Sequence, residues 1–211
     1  MMPNSSSINI FPRIFIICGI LAAFLFIGTD LIAGFLKPGY RFDSQSISVL
    51  SAFGTSTRPY VLPCNVIAEI LLIAFSLGIW FSANHNWVMR ATAVLLAVNA
   101  IFAIIAIIFY PWHIEEAVNA HANKMNVLFM GTSVVLFFLA LCFGAAANNN
   151  WFRYFSIGLI ILFFILDILA TAGTKFAFGG APGPKVGIQE RSMFFGELLW
   201  VVLQAITLLH M

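Results

Sequence analysis

A chain of 211 residues that is 62% hydrophobic and only 9% charged has too few ionic side chains to solvate a globule, since soluble domains carry about 25%. Ten Lys and Arg against eight Asp and Glu leave a formal net charge of +2, too weak a field to recruit a polyanion. A soluble enzyme, a disordered chain and a nucleic-acid binder are excluded, which leaves an integral membrane protein. The whole chain, 1–211, reads as a single transmembrane domain.

Crossing the hydrocarbon as a helix takes about 20 apolar residues. The first run that qualifies is 14–36, too long for a signal-peptide core and without a clear cleavage site, so it is expected to be retained. Residues 41–60 follow as a short interfacial or re-entrant helix. Asp43 or Ser44 can cap it, with Ile47, Leu50 and Phe53 on one side and Ser44, Ser48 and Ser51 on the other. Further spans are expected at 61–82, 91–112, 126–146, 154–174 and 192–210, separated by turn signals such as Lys37-Pro38-Gly39, Asn84-His85-Asn86 and Asn148-Asn149-Asn150. The fold class is therefore all-α, with six transmembrane helices in one bundle and a short interfacial helix between the first two.

Six spans put both termini on one side, face A, together with the short turns 83–90 and 147–153. Face B carries the longer connections 37–60, 113–125 and 175–191. Three Lys/Arg lie on face A and seven on face B. Several of the seven neighbour acids and are poor reporters of topology, so the orientation stays open. No repeat relates the two three-helix halves, so a transporter built from inverted repeats has no support in the sequence. Cys18, Cys64 and Cys142 sit in apolar runs without CxxC spacing and read as small buried hydrophobes.

The informative residues are the acids inside the spans. Asp30, Glu69, Asp167 and Glu197 each fall five to eight residues from the face B end of a predicted span, roughly 8–12 Å deep at 1.5 Å per residue. One charge at mid-helix costs at least about 2.5–3.5 kcal/mol on insertion scales, so four at one depth are expected to face inward as the ring of a polar cavity. Polar stripes agree with this: Glu190, Glu197 and Gln204 on the sixth span, Asn65, Glu69 and Ser76 on the second, Asp167, Thr171 and Thr174 on the fifth, and Thr92, Asn99, Tyr110 and His113 on the third. The Thr, Ser and Asn members read as interhelical hydrogen-bond glue. Carboxylates crowded in low dielectric repel, so at least one is expected to hold a proton near neutrality, and Arg191, beside Glu190, is the nearest cation in sequence.

Candidate catalytic residues are thus Asp30, Glu69, Asp167, Glu197 and His121, and candidate substrate-binding residues are Arg191, Glu190, Ser48 and His113. A nucleophilic Ser48 lacks the Gly-x-Ser-x-Gly elbow. His113 and His121, eight residues apart with Glu115 and Glu116 between them, could ligate a metal with Asp30 or Glu69, but no His-x-x-x-His pair supports it. No metal is assigned and the cofactor is unknown. The Gly/Pro-rich 175–189 connection reads as a lid or a tether.

Pro38-Gly39-Tyr40, Ser46-Ile47-Ser48-Val49-Leu50, Tyr110-Pro111, His121, Gln189-Glu190-Arg191 and Leu198-Leu199-Trp200 together resemble the prokaryotic membrane family catalogued as domain of unknown function 998, over roughly 14–210. The resemblance implies a six-helix protein of the bacterial inner (cytoplasmic) membrane and no established activity. It also implies that Ser48, His121 and Glu190-Arg191 belong to a recurring pattern. Where the family has an acid after its Phe-Pro element, Trp112-His113 follows here, so no role is carried over to that loop.

The leading expectation is a carboxylate-lined cavity open to face B that handles a lipid or other amphiphile, hydrolase-like, with Arg191 on an anionic head group. The alternatives are a small proton-coupled transporter and a non-catalytic scaffold. Expected partners are membrane lipids and a lipid or amphiphilic small-molecule ligand, with no nucleic acid; whether the protein is an enzyme, and its oligomeric state, stay open.

Overall fold

The computed structural model describes residues 10–114, 120–145, 150–173 and 185–210, with the side chains at 10–11, 145 and 167–173 outside the described set. Among the described residues there are seven helices, α1 (Ile10–Leu36), α2 (Ser48–Ser51), α3 (Arg58–Ser82), α4 (Trp87–Phe109), α5 (Ala120–Ala145), α6 (Asn150–Gly173) and α7 (Val186–Leu209). Five of them, α1, α3, α4, α5 and α7, contain stretches long and apolar enough to cross a membrane. The described apolar stretch of α6, Asn150–Leu166, is shorter.

Local chemistry accounts for the helix ends. Pro59 sits in the first turn of α3, where its missing N–H costs nothing. Asn84 adopts a left-handed φ of 47° in the turn after α3, a conformation asparagine tolerates. Asn86 then caps α4, its side-chain oxygen accepting from the Val88 and Met89 amides at 3.1 and 3.4 Å.

The six long helices pack in a closed ring, in the order α1, α3, α4, α5, α6, α7 and back to α1. The α1–α3 seam is held close by Gly78, where an added Cβ would stand 2.9 Å from the Ile16 amide nitrogen. The main core fills the face A half, around the fully buried Phe75, Ile79 and Trp200 with Phe137, Leu141 and Phe152. The Trp200 indole donates to Ser156 Oγ at 2.9 Å, satisfying its one polar atom. A smaller cluster of Ala33, Leu50 and Val61 lies toward face B.

Two expectations are corrected. The connection expected as a helix over 41–60 has helical structure only at Ser48–Ser51, while Arg58–Tyr60 belong to α3. Side chains take the carbonyls that a helix would need: Arg191 bonds the Phe42 and Gln45 oxygens, and the Tyr40 hydroxyl bonds those of Gln45 and Ser46. The predicted cap also differs, since Asp43 bonds Arg41 and Ser44 instead of a helix start. Second, α3 begins at Arg58 and α7 at Val186, ahead of the apolar runs at 61 and 192, which carries their acids deeper.

Candidate functional site

Five of the ring helices line a cavity of about 50 Å³, its walls including Phe26 from α1, Glu69 from α3, Asn99 from α4, Ser133 and Phe137 from α5, and Phe194 and Glu197 from α7. A water needs ~10–15 Å³ measured this way, so the space takes a few small atoms. The polar members share one level. Glu69 is the twelfth of 25 residues in α3, Glu197 the twelfth of 24 in α7, Asn99 the thirteenth of 23 in α4 and Ser133 the fourteenth of 26 in α5. Each therefore stands close to the middle of its helix, about 16 Å from the end for the two acids.

Asn99 and Ser133 bond each other across α4 and α5. The Asn99 amide donates to the Ser133 carbonyl at 2.7 Å and to its hydroxyl at 2.8 Å, and Ser133 Oγ donates to the Asn99 carbonyl at 3.3 Å. The acids are different. Glu69 Oε2 is enclosed and has no hydrogen-bond partner among the described residues, and Glu197 lies within electrostatic reach of Glu69. Among the described residues, no Lys, Arg or His lines the cavity.

A second charged centre sits nearer face B. Arg191 grips Asp30 with two parallel bonds, Nε to Oδ2 and Nη2 to Oδ1, both 2.9 Å, the bidentate geometry that suits a buried pair. Its other N–H groups reach the carbonyls of Phe42, Gln45 and Gly187 at 2.9–3.2 Å and the Tyr40 hydroxyl at 2.6 Å. Asp30 is 3% and Arg191 8% exposed, so every donor of a buried cation is used. Gly187 makes this approach possible, because a Cβ there would stand 2.4 Å from the Phe42 oxygen. Next to it, Glu190 Oε2 accepts the Ile47 amide at 2.6 Å, and the Lys37 ammonium donates to the Val49 carbonyl at 3.1 Å. Burial pushes the Tyr40 phenol up, with the Arg191 guanidinium pulling the other way, and burial lowers Lys37.

Between the two centres, Phe26 and Phe194 stack with ring centroids 5.7 Å apart. Phe26 lies one turn below Asp30 and Phe194 one turn below Arg191. Reading inward from face B, the α1–α7 seam therefore presents the ion pair, the ring stack and then the cavity.

The predicted site residues divide accordingly. Glu69 and Glu197 meet in the cavity, whereas Asp30 is paired with Arg191 and is absent from its lining. Of the four acids expected in one ring, the three whose side chains are described divide between two levels. Asp167 is in α6, but its side chain lies outside the described residues. Arg191 takes Asp30 as its partner in place of its neighbour Glu190, and its donors are spent on protein atoms. Ser48 Oγ lies 2.7 Å from Ser46 Oγ. His113 stacks near Phe53 at 4.9 Å and exchanges backbone bonds with the Asn123 amide, and His121 is exposed at the start of α5. Glu115, Glu116 and most of the 175–189 connection lie outside the described residues. Among the described residues no three His, Cys, Asp or Glu are grouped to hold a metal. Sequence reasoning missed the roles of Tyr40 and of the Phe26–Phe194 stack; the signal for the stack was the one-turn spacing of Phe26 from Asp30 and of Phe194 from Arg191, and for Tyr40 only its place in Pro38-Gly39-Tyr40.

No curated protein and no solved structure matches the chain. A family model does match, and it spans most of the ring, from α1 through α7 over residues 20–207. The chain belongs to the family described as Protein of unknown function (DUF998).

Proposed function

We propose that this protein is a proton-coupled carrier of the bacterial inner membrane, with Glu69 and Glu197 as the groups that take up and release the proton. In this reading α6 crosses the bilayer with the other five long helices, giving six spans, and the 37–57 connection rests at the membrane–water interface among lipid head groups. The observation that carries it is a pair of carboxyl side chains at mid-helix on one small cavity, one of them with an unbonded oxygen. Ionisable groups at that depth mark proton and ion pathways far more than structure.

The amphiphile-handling hydrolase is supported less well. A cavity of about 50 Å³ has no room for an acyl chain, and neither His113 nor His121 lines it. A scaffold would pair each acid with a cation, which fits Asp30 but not Glu69.

The test is the proton flux elicited by adding sodium, methylammonium, glycine or glucose outside liposomes that contain the purified protein and an entrapped pH dye. Flux should be lost in Glu69→Gln and in Glu197→Gln and persist in Asp43→Asn. Equal flux in a variant carrying both Gln substitutions would overturn the reading.

A further inference from the structure

We infer that the solute exchanged at this cavity is a small monovalent ammonium cation of a few heavy atoms, bound between Glu69 and Glu197; the inference rests on the proposed carrier reading and names its substrate class. Charge gives the sign. Among the described residues two carboxyl groups face the space and no cationic side chain lines it, so a ligand that offsets the charge of their ionised form is positive.

Size and surroundings narrow the class. At about 50 Å³ the cavity excludes large lipophilic cations. Phe26, Phe137 and Phe194 line it, and the face of an aromatic ring attracts an ammonium. Hydrogen bonding separates an ammonium from an alkali ion. Glu69 Oε2 is an enclosed acceptor that lacks a donor, and an N–H supplies one. The Asn99 and Ser133 donors are already engaged with each other, so they do not compete for it. A divalent metal would ask for six or so oxygens or a third anionic ligand, and no grouping of three such residues occurs among the described residues.

Exchange balances simply. As the cation enters, the O–H bond of a protonated carboxyl breaks, its proton leaves to water and the carboxylate keeps the electron pair. One positive charge replaces another, so the cavity's net charge is the same before and after.

The experiment is equilibrium binding of radiolabelled methylammonium to the full-length protein in detergent, with proton release followed in weakly buffered solution. One proton should appear per cation bound, and the apparent Kd should tighten about tenfold per pH unit while the site is protonated. Glu69→Gln and Glu197→Gln, each checked for a wild-type elution profile, should weaken binding about tenfold or more. Tetraethylammonium should not compete, being too large. Sodium competing as well as methylammonium would overturn the ammonium assignment. Absent binding together with intact, Glu69-dependent proton flux in liposomes would also overturn it, leaving the carrier reading in place. Absence of both would remove the two together.

Discussion

The two acid centres of this bundle solve the same problem in opposite ways. At Asp30 and Arg191, every hydrogen-bonding atom of a buried cation has a partner, and the 40–45 segment is pinned as a result. At Glu69 and Glu197, about two turns deeper along α7, two groups that ionise to the same sign share a cavity, with one oxygen unbonded among the described residues. A fully bonded pair resists change, whereas an under-bonded one is ready to accept a donor. The difference separates what holds the ring closed from what the ring encloses.

Substitutions can break this contrast. The largest effect is expected from Asp30→Ala, which strands Arg191 without its anion in a buried site and should cost about 3–5 kcal/mol of stability, read by denaturation in detergent. Replacing both members with apolar side chains, Asp30→Leu with Arg191→Met, should cost far less than Asp30→Ala alone; an equal or greater loss would mean that the pair stabilises the fold outright. Gly187→Ala comes next, at about 1–3 kcal/mol, since its Cβ would press on the Phe42 and Gln45 carbonyls at 2.4 and 2.5 Å.

Glu69→Gln should reverse the pattern, changing stability by no more than about 1 kcal/mol while proton flux disappears. Stability falling in step with flux would place Glu69 with the structural pair. The smallest effect belongs to Asp43, held below the usual aspartate range by the Arg41 guanidinium and then by Ser44. A depressed carboxyl contributes stability above its unfolded pKa and loses it as pH falls through the folded one. Melting curves of wild type and Asp43→Asn should thus differ slightly at neutral pH and converge below that range.

The helices themselves were readable in the residues, because a run such as Val88–Phe109 has no other way to satisfy its backbone in lipid. Depth was not. Arg58, Pro59 and Tyr60, and 186–191, open α3 and α7 with residues that an apolar window leaves out, which made Glu69 and Glu197 look shallower than they are. Pairing was harder still. Arg191 and Glu190 are neighbours in sequence, but adjacent side chains on a helix point about 100° apart, while Asp30, 161 residues away, arrives by the packing of α1 on α7. That Asn99 makes polar glue follows from its residue type, whereas its partner Ser133 on α5 was not singled out by the sequence. That the pair frames a cavity required knowing which helices are neighbours in the ring.

The closing of that ring by its first and last helices has a consequence for biogenesis. During synthesis α1 enters the membrane long before α7 has been translated, so Asp30 waits for its counter-ion until 161 further residues have been made. Until α7 is made, Asp30 lacks the guanidinium that it pairs with in the finished ring. The last helix of the ring to be made is therefore the one that locks it.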